Sequence, residues 1–186
     1  TPEGSIIGTS SPRRRCLLLQ HYPMLEQENC RGNVNSRLKK LDEDLYDGLI
    51  LAAAGLKRLG LEDKITEYLP IDMFLPAIGQ GCLGIECRSG DTDIIERLQC
   101  LNHDESQQCI IAEREVNRVL GGDCHSAIAA YATLTENSLT LMAAAGDINN
   151  GRIIETHVKG DAIDAVEIGQ CAAENLLTAG AKKLLA

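Results

Sequence analysis

Nine of the chain's eighteen basic side chains lie in its first sixty residues, placed as if to hold an anion. Arg13, Arg14 and Arg15 follow the polar turn Gly8-Thr9-Ser10-Ser11-Pro12. Arg31, Arg37, Lys39 and Lys40 come next, then Lys57 and Arg58. Residues 1–60 set seven acidic groups against these nine basic ones, residues 61–186 set twenty against nine, and the formal charge of the whole is −9. A locally basic region is thus kept inside an acidic protein. Arginine presents a planar fork of donors that matches carboxylate and phosphate oxygens. A turn leading into a helix adds free backbone N–H groups and the positive end of the helix dipole. A solvated helix face is what most charge runs amount to. Three features set this one apart: each group follows an expected strand end, most members are Arg, and hydroxyls accompany the first group. The residues alone leave both readings open, and the ligand the second implies carries several negative charges.

Cys124 is the other candidate for chemistry. It follows the helix-ending pair Gly121-Gly122, precedes His125, and so falls on a loop rather than a core face. A free cysteine is usually a small packing residue, and a helix C-terminus disfavours the thiolate. His103 and His125 do not complete a Cys–His protease, which needs a base and an oriented third group. None of the eight cysteines forms a CxxC pair, and Cys82/Cys87 and Cys100/Cys109 lack zinc-ribbon or thioredoxin spacing. Gly79-Gln80-Gly81 fits a tight turn but not a dinucleotide fingerprint. No metal site is expected.

These residues need elements to position them. Ser5–Gly8 reads as a short buried strand and Ser11–His21 as a helix, with Ser11 at the N-cap, Pro12 at the first helical position and an end near Pro23. Leu25–Cys30 reads as a second strand. Asn33–Asp44 reads as a helix with Val34, Leu38 and Leu41 on one face. Asp47–Ala54 is a continuous apolar run, the pattern of a parallel strand covered on both faces. Strands alternating with helices imply right-handed crossovers and a parallel sheet. The arginines then fall at the C-terminal edge of that sheet, where open α/β sheets bind ligands. From Leu75 the pattern changes. A Gly-rich hinge at 76–81 precedes an expected strand at Leu83–Cys87 and a helix at Thr92–Leu101. A longer helix spans His103–Leu120, with Ile110, Ile111, Val116 and Val119 as candidate core. Strands at about 127–135, 139–146 and 152–159 and a helix at 162–179 complete an α+β module.

Composition excludes several classes. Net negative charge with a single Phe argues against nucleic-acid binding. No apolar run approaches the ~20 residues of a membrane span, and the eight cysteines do not suit a disulfide scaffold in a chain this size. The opening Thr-Pro-Glu-Gly-Ser has no initiator Met and leads at once into a strand, so the chain is expected to begin inside a longer protein.

Several long blocks, in order along essentially the whole chain, resemble the porphobilinogen deaminase (hydroxymethylbilane synthase) family: GTSSPRRR at 8–15, CRGNVNSRLKKLD at 30–42, LAAAGLKRLGL at 51–61, LPAIGQGCLGIECR at 75–88, LNHDES at 101–106 and AEREVNRVLGGDC at 112–124. The resemblance implies a cytoplasmic transferase of tetrapyrrole (haem) biosynthesis. Such an enzyme joins four porphobilinogen units head to tail, releasing ammonia each time, on a dipyrromethane cofactor held by a cysteine thioether. It implies that Cys124 is that cysteine. It places cofactor contacts on Ser11, Arg13, Arg14, Arg31, Arg37 and Arg58. Substrate contacts fall on Thr9, Ser10, Arg31, Arg37, Arg58 and Gln80, where porphobilinogen and the growing polypyrrole present acetate and propionate groups.

The resemblance also implies a division of the chain. Residues 1–75 would be an α/β lobe like one lobe of periplasmic binding proteins, with a parallel-rich sheet. Residues 76–103 would be a hinge and a segment returning to a first domain. Residues 104–186 would be the cofactor-bearing α+β domain, with a three-stranded antiparallel sheet. Two departures stand out. Asp123 and His125-Ser126-Ala127 replace the family's second Gly and nearby Pro. No Asp matches the block that supplies the family's catalytic aspartate, so no catalytic residue is expected here and the isolated chain is expected to be inactive. Its partner would be the N-terminal portion of the same protein, the full-length protein being monomeric and binding neither nucleic acid nor membrane. The residues also fit a non-catalytic anion-binding module, which needs the arginines but not Cys124, or a thiol enzyme centred on Cys124.

Overall fold

The computed structural model describes residues 2–123 and 125–185. Its first sheet is parallel and short: β1 (Ile6–Gly8) lies between β2 (Glu26–Glu28) and β3 (Gly48–Leu49). Helix α1 (Pro12–His21) connects β1 to β2 and α2 (Val34–Asp42) connects β2 to β3. The sequence predicts the turn into α1, where Ser11 is the cap and Pro12 the start; the helix expected from Asn33 begins at Val34 instead, and the Asn33 side chain caps it by accepting the Ser36 N–H at 2.9 Å. Helix α3 (Ala53–Arg58) follows β3.

The expected strand at 47–54 is reduced to two residues, and 50–55 are only half-buried. A strand reads as apolar throughout when both faces and both edges are covered. Here β3 pairs with β1 alone, and α2 buries none of its residues completely. The expected second strand shrinks likewise to Glu26–Glu28, an edge.

The larger departure is at 82–100. The expected strand Leu83–Cys87 does not form; these residues are exposed and pair with nothing among the described residues. A strand exists only where another edge satisfies its N–H and C=O groups, and neither sheet offers one here. Helix α4 (Thr92–Gln99) follows, amphipathic yet with no buried residue.

The second sheet is antiparallel, β4 (Ala127–Thr135), β5 (Ser138–Gly146) and β6 (Ile153–Asp161) in sequence order. One face is covered by α5 (Asp104–Leu120) and α6 (Ala165–Thr178), with α7 (Ala181–Leu184) closing the end. Val116, Leu139, Leu141, Ala172 and Leu176 are fully buried between these layers. Of the expected core of α5 only Val116 is fully buried, while Ile110, Ile111 and Val119 are half-buried. The helices approach closely at Gly169, where a Cβ would lie 2.5 Å from the Ala112 carbonyl oxygen. Between them the Glu115 carboxylate accepts from Arg118 Nε at 2.7 Å and from Gln170 Nε2 at 3.0 Å.

The two sheets meet through α1 and the chain at 74–75. Leu75 packs with Ala129 and Ala144, and Cys16 of α1 points its thiol at the Asp147 carbonyl, 3.4 Å away. Helix α1 thus serves both layers at once, one side toward Ile7 and Phe74 and the other toward β4 and β6.

Candidate functional site

The first turn of α1 begins three residues beyond β1, so the backbone itself carries Thr9, Ser10, Ser11, Arg13 and Arg14 to the C-terminal edge of the parallel sheet. Thr9 is buried, and its hydroxyl oxygen accepts the Ser11 N–H at 3.3 Å, shaping the turn. Ser11 Oγ accepts the Arg14 N–H at 3.5 Å, and Ser10 and Ser11 remain partly accessible.

Arg13 is 6% exposed, and one terminal nitrogen donates to the Leu75 carbonyl. Its Nε finds no partner among the described residues. Burial, then the neighbouring Arg14 charge, pushes its pKa down to about 9. Arg14 donates to the Ile50 carbonyl at 2.6 Å and reaches Gln80 Oε1 at 3.5 Å. Burial lowers its pKa also, with Arg37 adding like-charge repulsion. Arg37, on α2, donates through Nε to the Gly32 carbonyl at 2.8 Å. Arg13, Arg14, Arg37 and Gln80 are therefore brought to one edge with the hydroxyls of residues 9–11.

Arg31 and Arg58 are exposed, Arg31 in the loop after β2 and Arg58 at the end of α3, and no hydrogen bond ties either to the cluster. Lys57 is occupied elsewhere, paired with Glu62 at 3.1 Å and lying over the Tyr68 ring.

Among the described residues, none of Arg13, Arg14, Arg31, Arg37 and Arg58 forms an ion pair. The four that occur join Lys39 to Glu43, Lys57 to Glu62, Arg88 to Asp91 and Arg118 to Glu115. In a chain with twenty-seven acidic residues that is a directed arrangement. Buried charges are ordinarily paired, so an edge of desolvated, unpaired guanidinium groups suits a ligand that brings the carboxylates. No His, Cys, Asp and Glu group fit to hold a metal occurs among the described residues.

Cys124 lies outside the described residues. Its neighbours form a clasp: Asp123 Oδ1 accepts the His125 N–H at 2.8 Å and the Ser126 hydroxyl at 2.9 Å, and Ser126 Oγ accepts the Asp123 N–H at 3.1 Å. These donors, the His125 N–H foremost, lower the Asp123 pKa. The carboxylate that replaces glycine is thus engaged within its own loop.

Sequence reasoning passed over Glu113. It is 4% exposed, and its carboxylate accepts the Gly79 N–H at 2.7 Å and the Ala132 N–H at 2.9 Å. Its one trace in the sequence is position: an acidic residue three before Val116 and four after Cys109, on the apolar stripe of α5.

Two family models match the chain: "Porphobilinogen deaminase, dipyromethane cofactor binding domain" over residues 1–96, and "Porphobilinogen deaminase, C-terminal domain" over residues 107–178. Among curated proteins, the chain is 46% identical over 184 residues to proteins named porphobilinogen deaminase from Coxiella burnetii (strain Dugway 5J108-111) and from Acidithiobacillus ferrooxidans (strain ATCC 23270). Each alignment covers 99% of this chain but 60% of the relative, so the chain spans about three-fifths of their length.

Proposed function

The chain belongs to the porphobilinogen deaminase family, and on that premise we propose that it is the carboxylate-binding and cofactor-bearing part of a hydroxymethylbilane synthase. The reaction is the stepwise deaminating condensation of four porphobilinogen units into a linear tetrapyrrole, in the cytoplasm. The observation that carries this reading is the unpaired arginine edge with buried Arg13 at its centre.

A dipyrromethane fits these residues because each pyrrole carries two carboxylates, and the edge offers forked donors that form no ion pair among the described residues. Covalently held, that group supplies the growing end to which each new pyrrole is joined. In this proposal Cys124 is the attachment point. Arg13 and Arg14 hold the primer's carboxylates with Ser11, while Thr9, Ser10 and Gln80 line the same edge. Arg31, Arg37 and Arg58, more exposed, receive the carboxylates of incoming and added units. Desolvation of Arg13 and Arg14 strengthens the contacts these two make. The guanidinium forks orient the pyrroles and leave proton transfer to a carboxylate contributed from elsewhere in the protein.

The finer architecture follows the same reading. Residues 1–75 form the periplasmic-binding-protein-like lobe, 76–103 a hinge and a segment that docks on the N-terminal portion, and 104–186 the cofactor-attachment domain. The exposed Leu83 (68%), Ile85 (57%) and Leu101 (63%) support the docking assignment, as does the length of the relatives. The 186-residue chain alone is then catalytically silent.

Intact-protein mass spectrometry tests the proposal on the full-length protein. The expected result is a dipyrromethane-sized adduct that maps to Cys124 and disappears in Cys124→Ser. An unmodified, active full-length enzyme would overturn it. Anion binding with an unmodified thiol would favour a plain binding module, and selective alkylation that abolishes activity but not anion binding would favour a thiol enzyme.

A further inference from the structure

Residues 75–80 form a strap between the two sheets, and four anchors hold it. The Leu75 carbonyl accepts from Arg13, Ile78 packs into the core of the second sheet, the Gly79 N–H donates to Glu113, and Gln80 Oε1 meets Arg14. Two of these anchors are arginines of the anion edge. The other two belong to the unit that contains α5. Gly79 has φ +70, in the left-handed region that glycine tolerates, within a turn closed by the Gln80 N–H donating to the Ala77 carbonyl at 2.9 Å.

Glu113 is the only charged side chain among these anchors on the α5 side. Both of its oxygens are used, Oε2 on Gly79 and Oε1 on Ala132 of β4, so one carboxylate fixes the strap relative to the sheet. Burial raises its pKa, and the two backbone donors oppose that by favouring the charged form. Its helix is itself held rigidly, through Glu115, Arg118 and Gln170 and the close approach at Gly169.

We propose that Glu113 is a positioning residue for the arginine edge, holding Gln80 against Arg14 by clamping the Gly79-Gln80 turn to α5. This rests on reading the arginine edge as a carboxylate site. Donors held in place before a ligand arrives bind it more tightly than donors that the ligand must order. Truncating Glu113 frees the turn and lets Gln80 leave Arg14. Charge-assisted hydrogen bonds from two backbone groups are at stake.

The test uses the 186-residue chain, with propane-1,2,3-tricarboxylate as the probe for the edge and amide hydrogen exchange as the probe for the strap. Glu113→Ala is expected to speed exchange at Gly79 by about tenfold or more, given the loss of a charge-assisted bond. It is also expected to weaken the tricarboxylate by several-fold, while amides in β5 exchange at the wild-type rate. Glu113→Gln keeps one carbonyl oxygen for Ala132 but turns an NH2 toward Gly79, so it is expected to fall between the two; it also serves if the Ala variant fails to fold. Faster exchange at Gly79 with unchanged tricarboxylate affinity in both variants would overturn the proposal and leave Glu113 as a merely structural clamp. A wild-type chain that does not bind the probe would instead remove the carboxylate site itself, and the proposal with it.

Discussion

Arg13→Met is the substitution that separates a ligand-binding role from a structural one, because the two predict opposite signs. Arg13 is 6% exposed, lacks an ion-pair partner among the described residues, and has its pKa pushed down to about 9, chiefly by burial. Set against an ordinary guanidinium at ~12.5, and at 1.36 kcal/mol per decade, the buried charge is disfavoured by at most about 5 kcal/mol. Methionine removes that cost while keeping much of the apolar stem. It forfeits the hydrogen bond to the Leu75 carbonyl, a charge-assisted contact in the range of roughly 1.5–3 kcal/mol. The balance favours the variant by about 2 kcal/mol. For a chain of this length that raises the melting temperature by roughly 4–8 °C.

The same change removes the central donor of the edge. Saturating tricarboxylate, at about a hundred times its dissociation constant, stabilises the wild type by ~2.7 kcal/mol through mass action. The variant should gain far less. Differential scanning calorimetry with and without the probe reads both quantities in one experiment. A variant that melts below wild type, or that retains the full ligand-induced shift, would refute the reasoning. Arg13 would then be a structural strut whose bond to Leu75 outweighs its desolvation.

Two further changes probe the scaffold. Glu115, held by Arg118 and then Gln170, has its pKa lowered from 4.5 to about 2, so the stability it contributes is present above the ordinary carboxylate value and is lost as pH falls toward 2. Thermal melts between pH ~5 and ~3 should therefore show a decline that Glu115→Gln flattens; a parallel decline in both proteins would assign the loss to other carboxylates. Gly169→Ala, which in an exposed helix would stabilise by ~1 kcal/mol, should here destabilise by roughly 1–3 kcal/mol through overpacking, because the new Cβ meets the Ala112 carbonyl at 2.5 Å. Urea denaturation gives the sign directly, and a stabilised variant would show that α5 and α6 can move apart at little cost.

The turn chemistry at Ser11-Pro12, the apolar alternation around Leu139 and Leu141, and the long stripe of α5 were legible because each is a local signal that its own neighbours reinforce. The strand expected at 83–87 has the same apolar alternation but depends on a partner edge, which residue pattern cannot supply. The short β3 failed for a related reason: an apolar run reports a capacity for burial, and whether a layer arrives to cover it is a property of the whole assembly. Glu113 was overlooked because a lone acidic residue on an apolar stripe is ambiguous until its partners, thirty-four residues upstream and nineteen downstream, are brought to it.

The sequence by itself determined that basic groups would stand at strand ends and helix starts, since turn residues and charge placement are written along the chain. It also determined which family the blocks resemble. Only the tertiary structure decided that Arg13 is buried without a carboxylate while Lys57 is paired with Glu62, and that Arg14 meets Gln80 and feels the Arg37 charge while Arg31 and Arg58 are exposed. Charge is a property of a residue, but desolvation and pairing depend on what the fold sets beside it, and those are what turn a basic cluster into a site for carboxylates.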